Sequence, residues 1–249
     1  MTGTVHLVGA GPGAADLLTL RAARLLERAD IVFYDALVPE AVLGISSRSL
    51  KMEVGKRSGR YSTAQRFINK QLADAARRYE VVVRLKGGDP MLFGRAFEEI
   101  SFLAARGIRV EVVPGVTAAL AASAELGVSL TRRGLARSVV FVTPRAGAGE
   151  PPNRWVDVVL KADTAGIYMG AGQAWEISSA LIAAGKSPRT PVIVVENASL
   201  PQARRFAGFL KDLEQLAAQG SGGPLLILLG EVYRDCAQVV APAAAGGRA

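Results

Sequence analysis

The strongest constraint on the fold is an alternation of short aliphatic runs with longer amphipathic segments along the 249-residue chain. Four runs in the first half are typical of buried strands: Val5–Val8, Ile31–Tyr34, Val81–Leu85 and Val110–Val113. A second series begins near Val139, and the sequence shows no internal repeat. Because strands that alternate with helices form βαβ units, the pattern predicts an α/β protein. We expect two α/β lobes, 1–126 and 127–236, and a disordered Ala/Gly/Pro-rich tail over 237–249.

The scarcity of reactive side chains restricts the chemistry. The sequence has one His, His6, and one Cys, Cys236. Disulfide frameworks and Cys/His zinc sites are therefore excluded, and a Ser-His-Asp mechanism would have to recruit His6 from an aliphatic run. We expect no metal, and a reaction that uses carboxylates, amines, backbone groups or a bound cofactor. The single thiol and the lack of a signal-peptide or membrane-spanning pattern predict a cytoplasmic protein.

The net charge of +8, from 30 Lys and Arg against 22 Asp and Glu, indicates an anionic partner or a compositional bias of the genome. A basic RNA-binding or RNA-methylating protein is one alternative. Aromatic residues make up only 6% of the chain, and no aromatic-and-basic RNA-binding signature is present. We therefore expect neither a nucleic-acid nor a membrane partner.

Three glycine-containing segments follow predicted strands: Gly9–Gly13, Gly87-Gly88-Asp89 and Pro114–Thr117. Ligands of open α/β sheets bind beyond the carboxyl ends of the strands, so these segments predict a binding site. Gly9–Gly13 is similar to a dinucleotide-binding loop, but Ala14 replaces its third glycine, which favours a tight turn at a cleft edge. Asp89 offers a carboxylate to a ribose hydroxyl or a cation; the alternative is a helix cap with Pro90 in the first helical turn.

These segments belong to a longer ordered set of motifs that resembles the tetrapyrrole methylases. The resemblance covers about residues 4–234 and is strongest to the members that methylate uroporphyrinogen III at carbon. Nine motifs carry it: Gly9–Gly13, Tyr34-Asp35, Val54–Arg57, Val83–Pro90, Phe93–Arg95, Val113–Ala118, Leu130-Thr131, Tyr168–Gly170 and Val195–Asn197.

The resemblance implies a two-lobed α/β homodimer that binds S-adenosylmethionine in a cleft between the lobes. The 1–126 lobe would provide the substrate side and the cleft, and the 127–236 lobe the cofactor side. Two pyrrole carbons of uroporphyrinogen III would be methylated in succession, giving precorrin-2 by way of precorrin-1 for sirohaem and cobalamin, with S-adenosylhomocysteine as the other product. Methylation of a later corrin precursor and a non-catalytic ligand-binding role are the alternatives.

Matching positions give the site that the resemblance implies. Asp35 would be the proton acceptor and Lys56 the proton donor; a turn-capping Asp35 and a solvated Lys56 are the alternatives. Four basic residues would bind substrate carboxylates: Arg57, Arg95, Arg132 and Arg133. The cofactor contacts would be Pro12, Gly87, Gly88, Asp89, Leu92, Thr117, Ala118, Met169 and, at a position that is often Gly in the family, Ala198.

The sequence departs from the family pattern at three places. Ala96-Phe97 replaces a usual Gly-Gly, and Arg132-Arg133-Gly134 replaces a usual His-Arg-Asp. Pro144-Arg145 replaces a usual Gly-His. All three lie near turns that are expected to face the substrate, so the departures leave open which tetrapyrrole is used and whether it receives one or two methyl groups.

Overall fold

The computed structural model describes residues 2–54, 65–147 and 153–240. The chain divides into two compact units, Met1–Ala118 and Ala119–Ala249. Each unit contains one five-stranded sheet with helices, so the predicted α/β class is confirmed. The lobe boundary at 126/127 stays a prediction.

The first unit is built on a parallel sheet. Its elements in chain order are β1 (Thr4–Gly9), α1 (Leu20–Arg28), β2 (Ile31–Tyr34), α2 (Glu40–Leu43), β3 (Leu50–Glu53), α3 (Gln65–Ala76), β4 (Val81–Lys86), α4 (Ala96–Ala104) and β5 (Val110–Val113). The strand order is β3-β2-β4-β1-β5. From β1 the chain continues to β2 and β3 on one side of the sheet, and from β4 it continues to β5 on the other side. β1 and β4 are neighbours. A ligand site is expected beyond their carboxyl ends.

The two faces of this sheet pack against different helices. In β4, Val82 belongs to the core with α3 and α4, whereas Val83 and Leu85 belong to the core with α1. Successive side chains of a strand point to opposite faces, so Arg84 and Lys86 continue the face of Val82. That face therefore changes from apolar to charged at its carboxyl end.

Helix α1 begins later than the sequence predicts. The pattern favours a helix from Asp16, but residues Ala15–Leu17 form a 3-10 turn and the α-helix begins at Leu20. The Thr19 hydroxyl accepts a hydrogen bond from the Ala22 N–H at 3.2 Å. This cap satisfies an N–H that has no partner within the helix, and it fixes the start of α1.

The second unit has a mixed sheet. Its elements are α5 (Ala118–Leu126, whose first residue is the last of the first unit), β6 (Val139–Val142), α6 (Trp155–Lys161), β7 (Thr164–Tyr168), α7 (Ala174–Ala183), β8 (Pro191–Glu196), β9 (Arg204–Phe209), α8 (Leu213–Ala218), β10 (Leu225–Gly230) and α9 (Arg234–Val240). The strand order is β6-β7-β10-β8-β9, and only the β6–β7 pair is parallel.

The chain stays ordered beyond the point at which the tail was expected to begin. Residues 237–240 were expected in a disordered tail, but they form the end of α9, which packs on β8 and β9. Ala237 is fully buried, and this burial holds the helix on the sheet. In residues 2–54, 65–147 and 153–240, no helix is long and apolar enough to span a membrane.

A buried carboxylate fixes the carboxyl end of β8. Glu196 is fully buried and accepts hydrogen bonds from the Ser221 N–H at 2.7 Å and the Gly223 N–H at 2.8 Å. The Ser221 hydroxyl also donates to it at 3.2 Å. Burial acts to raise the pKa of Glu196, but the hydrogen bonds from Gly223 and Ser221 outweigh it and lower the pKa below the ordinary 4.5.

We expect Glu196→Gln to lower the free energy of unfolding at neutral pH by about 1–2 kcal/mol, because charge-assisted hydrogen bonds become neutral ones. A carboxyl whose pKa is lowered on folding stabilises the fold above its unfolded pKa and loses that effect as the pH falls through the folded value. The difference from wild type should therefore shrink below pH 4.5.

Denaturant unfolding of both proteins across pH 3–7 measures this difference, and Glu214→Gln, at an exposed carboxylate of α8, is the control. If Glu196→Gln lowers the free energy of unfolding by the same amount at every pH, the lowered pKa of Glu196 is contradicted.

Candidate functional site

The loops that follow β1, β4 and β5 contact one another through glycine backbone. A Cβ on Gly9 would lie 2.6 Å from the Gly115 Cα and 2.7 Å from the Gly88 carbonyl oxygen. Gly11 and Gly88 exchange backbone hydrogen bonds with N···O distances of 3.2 and 2.7 Å. Both of these residues have positive φ, 71° and 66°, which glycine adopts without strain. The loops therefore present bare backbone beyond the carboxyl ends of neighbouring strands.

Asp89 links the β4 loop to the β5 loop. Its Oδ2 accepts a hydrogen bond from the Gly115 N–H at 2.9 Å, and its Oδ1 accepts one from the Met91 N–H at 2.8 Å. Each carboxylate oxygen keeps a further lone pair that a ligand hydroxyl can use. The helix-cap alternative is wrong, because residues 90–91 form a turn and α4 begins only at Ala96.

The structure brings the predicted cofactor contacts of the first unit together on these three loops. A Cβ on Gly88 would lie 3.9 Å from the Cα of Thr117, which is buried. Pro12 follows Gly11, the partner of Gly88. The others lie on the same loops: Gly87, Asp89 and half-buried Leu92 after β4, and Ala118 after β5. Their role as cofactor contacts stays a prediction.

The remaining two predicted cofactor contacts, Met169 and Ala198, lie at one edge of the second sheet. Met169 follows β7 and Ala198 follows β8, on either side of the start of β10. Met169 is 41% exposed with a φ of 57°, while Ala198 is buried between Asn197 and Ser199, whose φ values are 54° and 69°. Left-handed backbone in non-glycine residues is costly and concentrates at functional sites.

Tyr168 ties the start of α5 to the same edge. Its hydroxyl accepts a hydrogen bond from the Ala119 N–H at 3.1 Å, and its ring packs edge-on against Phe141 with centroids 5.9 Å apart. Tyr168, the residue before Met169, is thus held at both its hydroxyl and its ring.

Asp35, the predicted proton acceptor, lies directly after β2 and is held by a buried arginine of β4. Arg84 Nη2 donates to Asp35 Oδ1 at 2.5 Å. The Asp35 side chain is 28% exposed, whereas that of Arg84 is only 3% exposed. The carboxylate therefore lies at the boundary between the interior and the surface.

The contact between Asp35 and Arg84 is one end of a chain of buried charges. Glu99 of α4 is fully buried, and its Oε1 accepts from Arg84 Nε at 3.2 Å and from Lys86 Nζ at 3.0 Å. Gln65 Nε2 donates to the same oxygen at 3.0 Å. Burial lowers the pKa of Lys86, and Arg84 lowers it further, while Glu99 raises it. We call Asp35, Arg84, Glu99 and Lys86 the ion chain.

Sequence reasoning did not assign Arg84, Lys86 or Glu99 to the site. A signal was present, because two basic residues two positions apart share one face of a strand that is otherwise aliphatic. Such charges are buried only with partners. The sequence thus implied a buried carboxylate, although not which one.

Three of the basic residues predicted to bind substrate, Arg95, Arg132 and Arg133, are exposed. Arg95 has a φ of 55° and makes two bonds of 2.7 Å to Glu98, and the Arg95 hydrogen bonds lower the Glu98 pKa. Arg132 and Arg133 lie in a tight turn closed by hydrogen bonds between Arg132 and Ala136, with Gly134 at a φ of 81°. Lys56 and Arg57 lie outside the described residues.

The other departures from the family pattern are also at the surface or in turns. Phe97 is 80% exposed near the start of α4, next to buried Ala96. Pro144 and Arg145 follow β6, and the carbonyl of Arg145 accepts a hydrogen bond from the Asn153 side chain at 3.3 Å. Within the described ranges, no group of three or more His, Cys, Asp or Glu side chains could hold a metal ion.

Residues 4–214 match the family model of the Tetrapyrrole (Corrin/Porphyrin) Methylases. The siroheme synthases of Pseudomonas paraeruginosa and Pseudomonas fluorescens are 44% and 45% identical over 94% of this chain. The chain spans about half the length of these curated relatives, 50% and 51% respectively.

Solved structures of similar proteins match nearly the whole chain. The uroporphyrin-III C-methyl transferase of Thermus thermophilus, complexed with S-adenyl homocysteine, is 42% identical, with a TM-score of 0.83 over 94% of this chain and 100% of that one. A cobalt precorrin-4 methyltransferase is 28% identical, with a TM-score of 0.80 over 92% of this chain and 95% of that one. The family indicated by the ordered motifs is thus confirmed, and the chain belongs to the tetrapyrrole (corrin/porphyrin) methylases.

Proposed function

We propose that this chain transfers methyl groups from S-adenosylmethionine to pyrrole carbons of uroporphyrinogen III, forming precorrin-2 by way of precorrin-1. The observation that carries the proposal is the 42% identity to the Thermus thermophilus uroporphyrin-III C-methyl transferase over the full length of that chain. The similarity to siroheme synthases supports the same step as part of a longer protein.

The glycine loops of the first unit fit a cofactor that must approach backbone closely. A Cβ at Gly9 would meet backbone atoms of Gly88 and Gly115, so this glycine lets the three loops pack together. The neighbouring Gly87 is exposed, and its backbone is open to a ligand. We propose that Pro12, Gly87, Gly88, Asp89, Leu92, Thr117 and Ala118 hold S-adenosylmethionine, with Met169 and Ala198 of the second unit as further contacts. When bound, the cofactor supplies an electrophilic methyl group on its sulfonium, a chemistry that needs no metal, thiol or imidazole.

Asp35 is the proposed proton acceptor. Methylation of a pyrrole carbon is followed by loss of a proton as the ring system rearranges, and a partly exposed carboxylate can take that proton. Arg84 holds one oxygen of Asp35, so the carboxylate has a fixed direction at the end of β2. Lys56 is proposed as the proton donor.

Exposed arginines are proposed to bind the carboxylate side chains of the tetrapyrrole. Arg95 presents a guanidinium at the start of α4, and Arg132 and Arg133 present two more on a turn. Arg57 is proposed to join them. The net charge of +8 favours attraction of a polycarboxylate. Once the substrate is bound, a fixed orientation of the reacting groups can contribute up to ~7–11 kcal/mol to catalysis.

We further propose a cytoplasmic homodimer.

A later corrin precursor is the second candidate substrate. The 28% identity to a cobalt precorrin-4 methyltransferase over 92% of this chain favours it. The changed residues, above all exposed Phe97 near the start of α4, are compatible with a different tetrapyrrole. The same methyl-transfer assay with precorrin substrates separates the two candidates.

We expect the purified protein to release S-adenosylhomocysteine when it is incubated anaerobically with S-adenosylmethionine and uroporphyrinogen III. Mass spectrometry of the tetrapyrrole should show two added methyl groups, with a singly methylated intermediate at early times. Cofactor binding without any release would contradict uroporphyrinogen III as substrate, and a product that stops at one methyl group would contradict precorrin-2.

We expect Gly9→Ala to weaken S-adenosylhomocysteine binding by about tenfold or more, equivalent to ~1.4 kcal/mol, because the new Cβ separates the three loops. The atoms it would meet belong to backbone, which cannot rotate away as a side chain can. Titration calorimetry measures the effect.

The matched control is Gly44→Ala in the same unit. Gly44 has a helical φ of −61°, and its added Cβ would have 3.5 and 3.6 Å contacts, so we expect unchanged affinity. If Gly9→Ala lowers the stability of the protein but leaves the affinity for S-adenosylhomocysteine unchanged, the loops do not form the cofactor surface.

A further inference from the structure

We infer that Arg84 is a positioning residue for proton transfer: it sets the Asp35 carboxylate, and Glu99 with Lys86 sets Arg84. This inference rests on the proposed function, in which Asp35 accepts the proton. It assigns a purpose to three buried charged residues that make no other contribution to the proposed reaction.

The guanidinium of Arg84 is fixed at three points. Its Nη2 donates to Asp35 Oδ1 at 2.5 Å, its Nε to Glu99 Oε1 at 3.2 Å and its Nη1 to the Leu85 carbonyl at 3.2 Å. Because the guanidinium is planar and rigid, the bonds to Glu99 and Leu85 determine the direction of the N–H that meets Asp35. A flexible lysine ammonium at this position would not fix the direction of the N–H that meets Asp35.

The far end of the ion chain immobilises Glu99. Lys86 Nζ donates to Oε1 at 3.0 Å and to Oε2 at 3.1 Å, and Gln65 adds a third donor. Asp35, Arg84, Glu99 and Lys86 alternate in sign, so each buried charge has an opposite neighbour and their charges sum to zero. A substitution of Glu99 therefore alters the position of Asp35 only through Arg84, which contacts both carboxylates.

The ion chain is exposed at only one of the three positions Asp35, Arg84 and Glu99, and that position is Asp35, where the proton is transferred. Arg84 is 3% exposed and Glu99 is 0% exposed, so neither reaches a bound substrate, whereas Asp35 is 28% exposed. Among the described residues, Asp35 Oδ2 has no hydrogen-bond partner while Oδ1 is held by Arg84. The held oxygen fixes the direction of the other, which is the one that can receive a proton.

The test compares methyl transfer in Arg84→Lys, Asp35→Asn and the double variant. Arg84→Lys keeps the charge but loses the planar fork, and we expect kcat to fall about 100-fold, at the lower end of what proton transfer contributes. The KM for S-adenosylmethionine should change by less than about threefold, as cofactor contacts are untouched. In the Asp35→Asn background, Arg84→Lys should have almost no further effect, because it acts through Asp35. Losses that multiply in the double variant would overturn the inference.

Two further variants separate positioning from folding. Glu99→Gln removes the charge that holds Arg84, and we expect a fall in kcat with unchanged KM for S-adenosylmethionine. Leu26→Ala truncates a fully buried side chain of α1, which packs on the opposite face of the sheet from Arg84 and Lys86, and it lowers the melting temperature. At a temperature well below all the melting points, Leu26→Ala should keep wild-type kcat; a loss equal to that of Arg84→Lys would overturn the inference.

Crystal structures of wild type and Arg84→Lys give a readout that needs no turnover. We expect Asp35 to have one side-chain conformation in wild type and several, or a different one, in Arg84→Lys. If wild type releases no S-adenosylhomocysteine with uroporphyrinogen III, the proposed function fails, and the Asp35 conformation still decides the inference. An Asp35 carboxylate that stays in place in Arg84→Lys overturns it, as does full activity of Asp35→Asn in an active wild-type background.

Discussion

The contact of three backbone segments at Gly9, Gly88 and Gly115 determines where every other group of the first unit's candidate site can lie. β1, β4 and β5 are parallel neighbours, so their loops leave the same edge of the sheet and must either separate or touch. The absence of side chains at these glycines lets them touch, and Asp89 then locks the β4 loop to the β5 loop. The result is a surface made of peptide groups with fixed directions, a geometry that is preorganised for a polar ligand.

The ion chain is built on the same sheet at a cost that stability alone does not explain. Replacing a buried ion pair by apolar residues of similar volume is often neutral or stabilising by about 1–4 kcal/mol, whereas removing one partner costs about 3–5 kcal/mol. The face that carries Arg84 and Lys86 is apolar along the rest of β4, and α3 and α4 cover it with aliphatic side chains. An all-apolar continuation was therefore structurally available. The charges at the carboxyl end of this face are explained by the direction they give to Asp35.

The sequence predicted those parts of the fold that aliphatic runs define. β2 and β5 were predicted to the residue: Asp30 and Asp35 limit four continuous hydrophobic side chains in β2, and Pro114 directly follows β5. The short helices α2 and α6 were not predicted, since one or two turns leave too few positions for a periodic pattern. The left-handed residues Met169 and Asn197 could not be recognised either, because such backbone is read from glycine and neither residue is one. The pairing of Glu99 with Arg84 depends on how α4 lies on the sheet, which no local pattern contains.

The strand order of the first sheet also has a consequence for folding during synthesis. In the described sheet, β1 has its neighbours in β4 and β5, so Thr4–Gly9 leaves the ribosome long before a strand that it can pair with. At about 5–20 residues per second, the interval before Lys86 is added is roughly 4–15 s. Through that interval β1 has no partner strand, because β2 and β3, which are made before β4, pair with each other and with β4 but not with β1 in the finished sheet. β1, an inner strand of the sheet, is thus made first but pairs only after β4 has been made, so its aliphatic segment needs protection on the nascent chain until then.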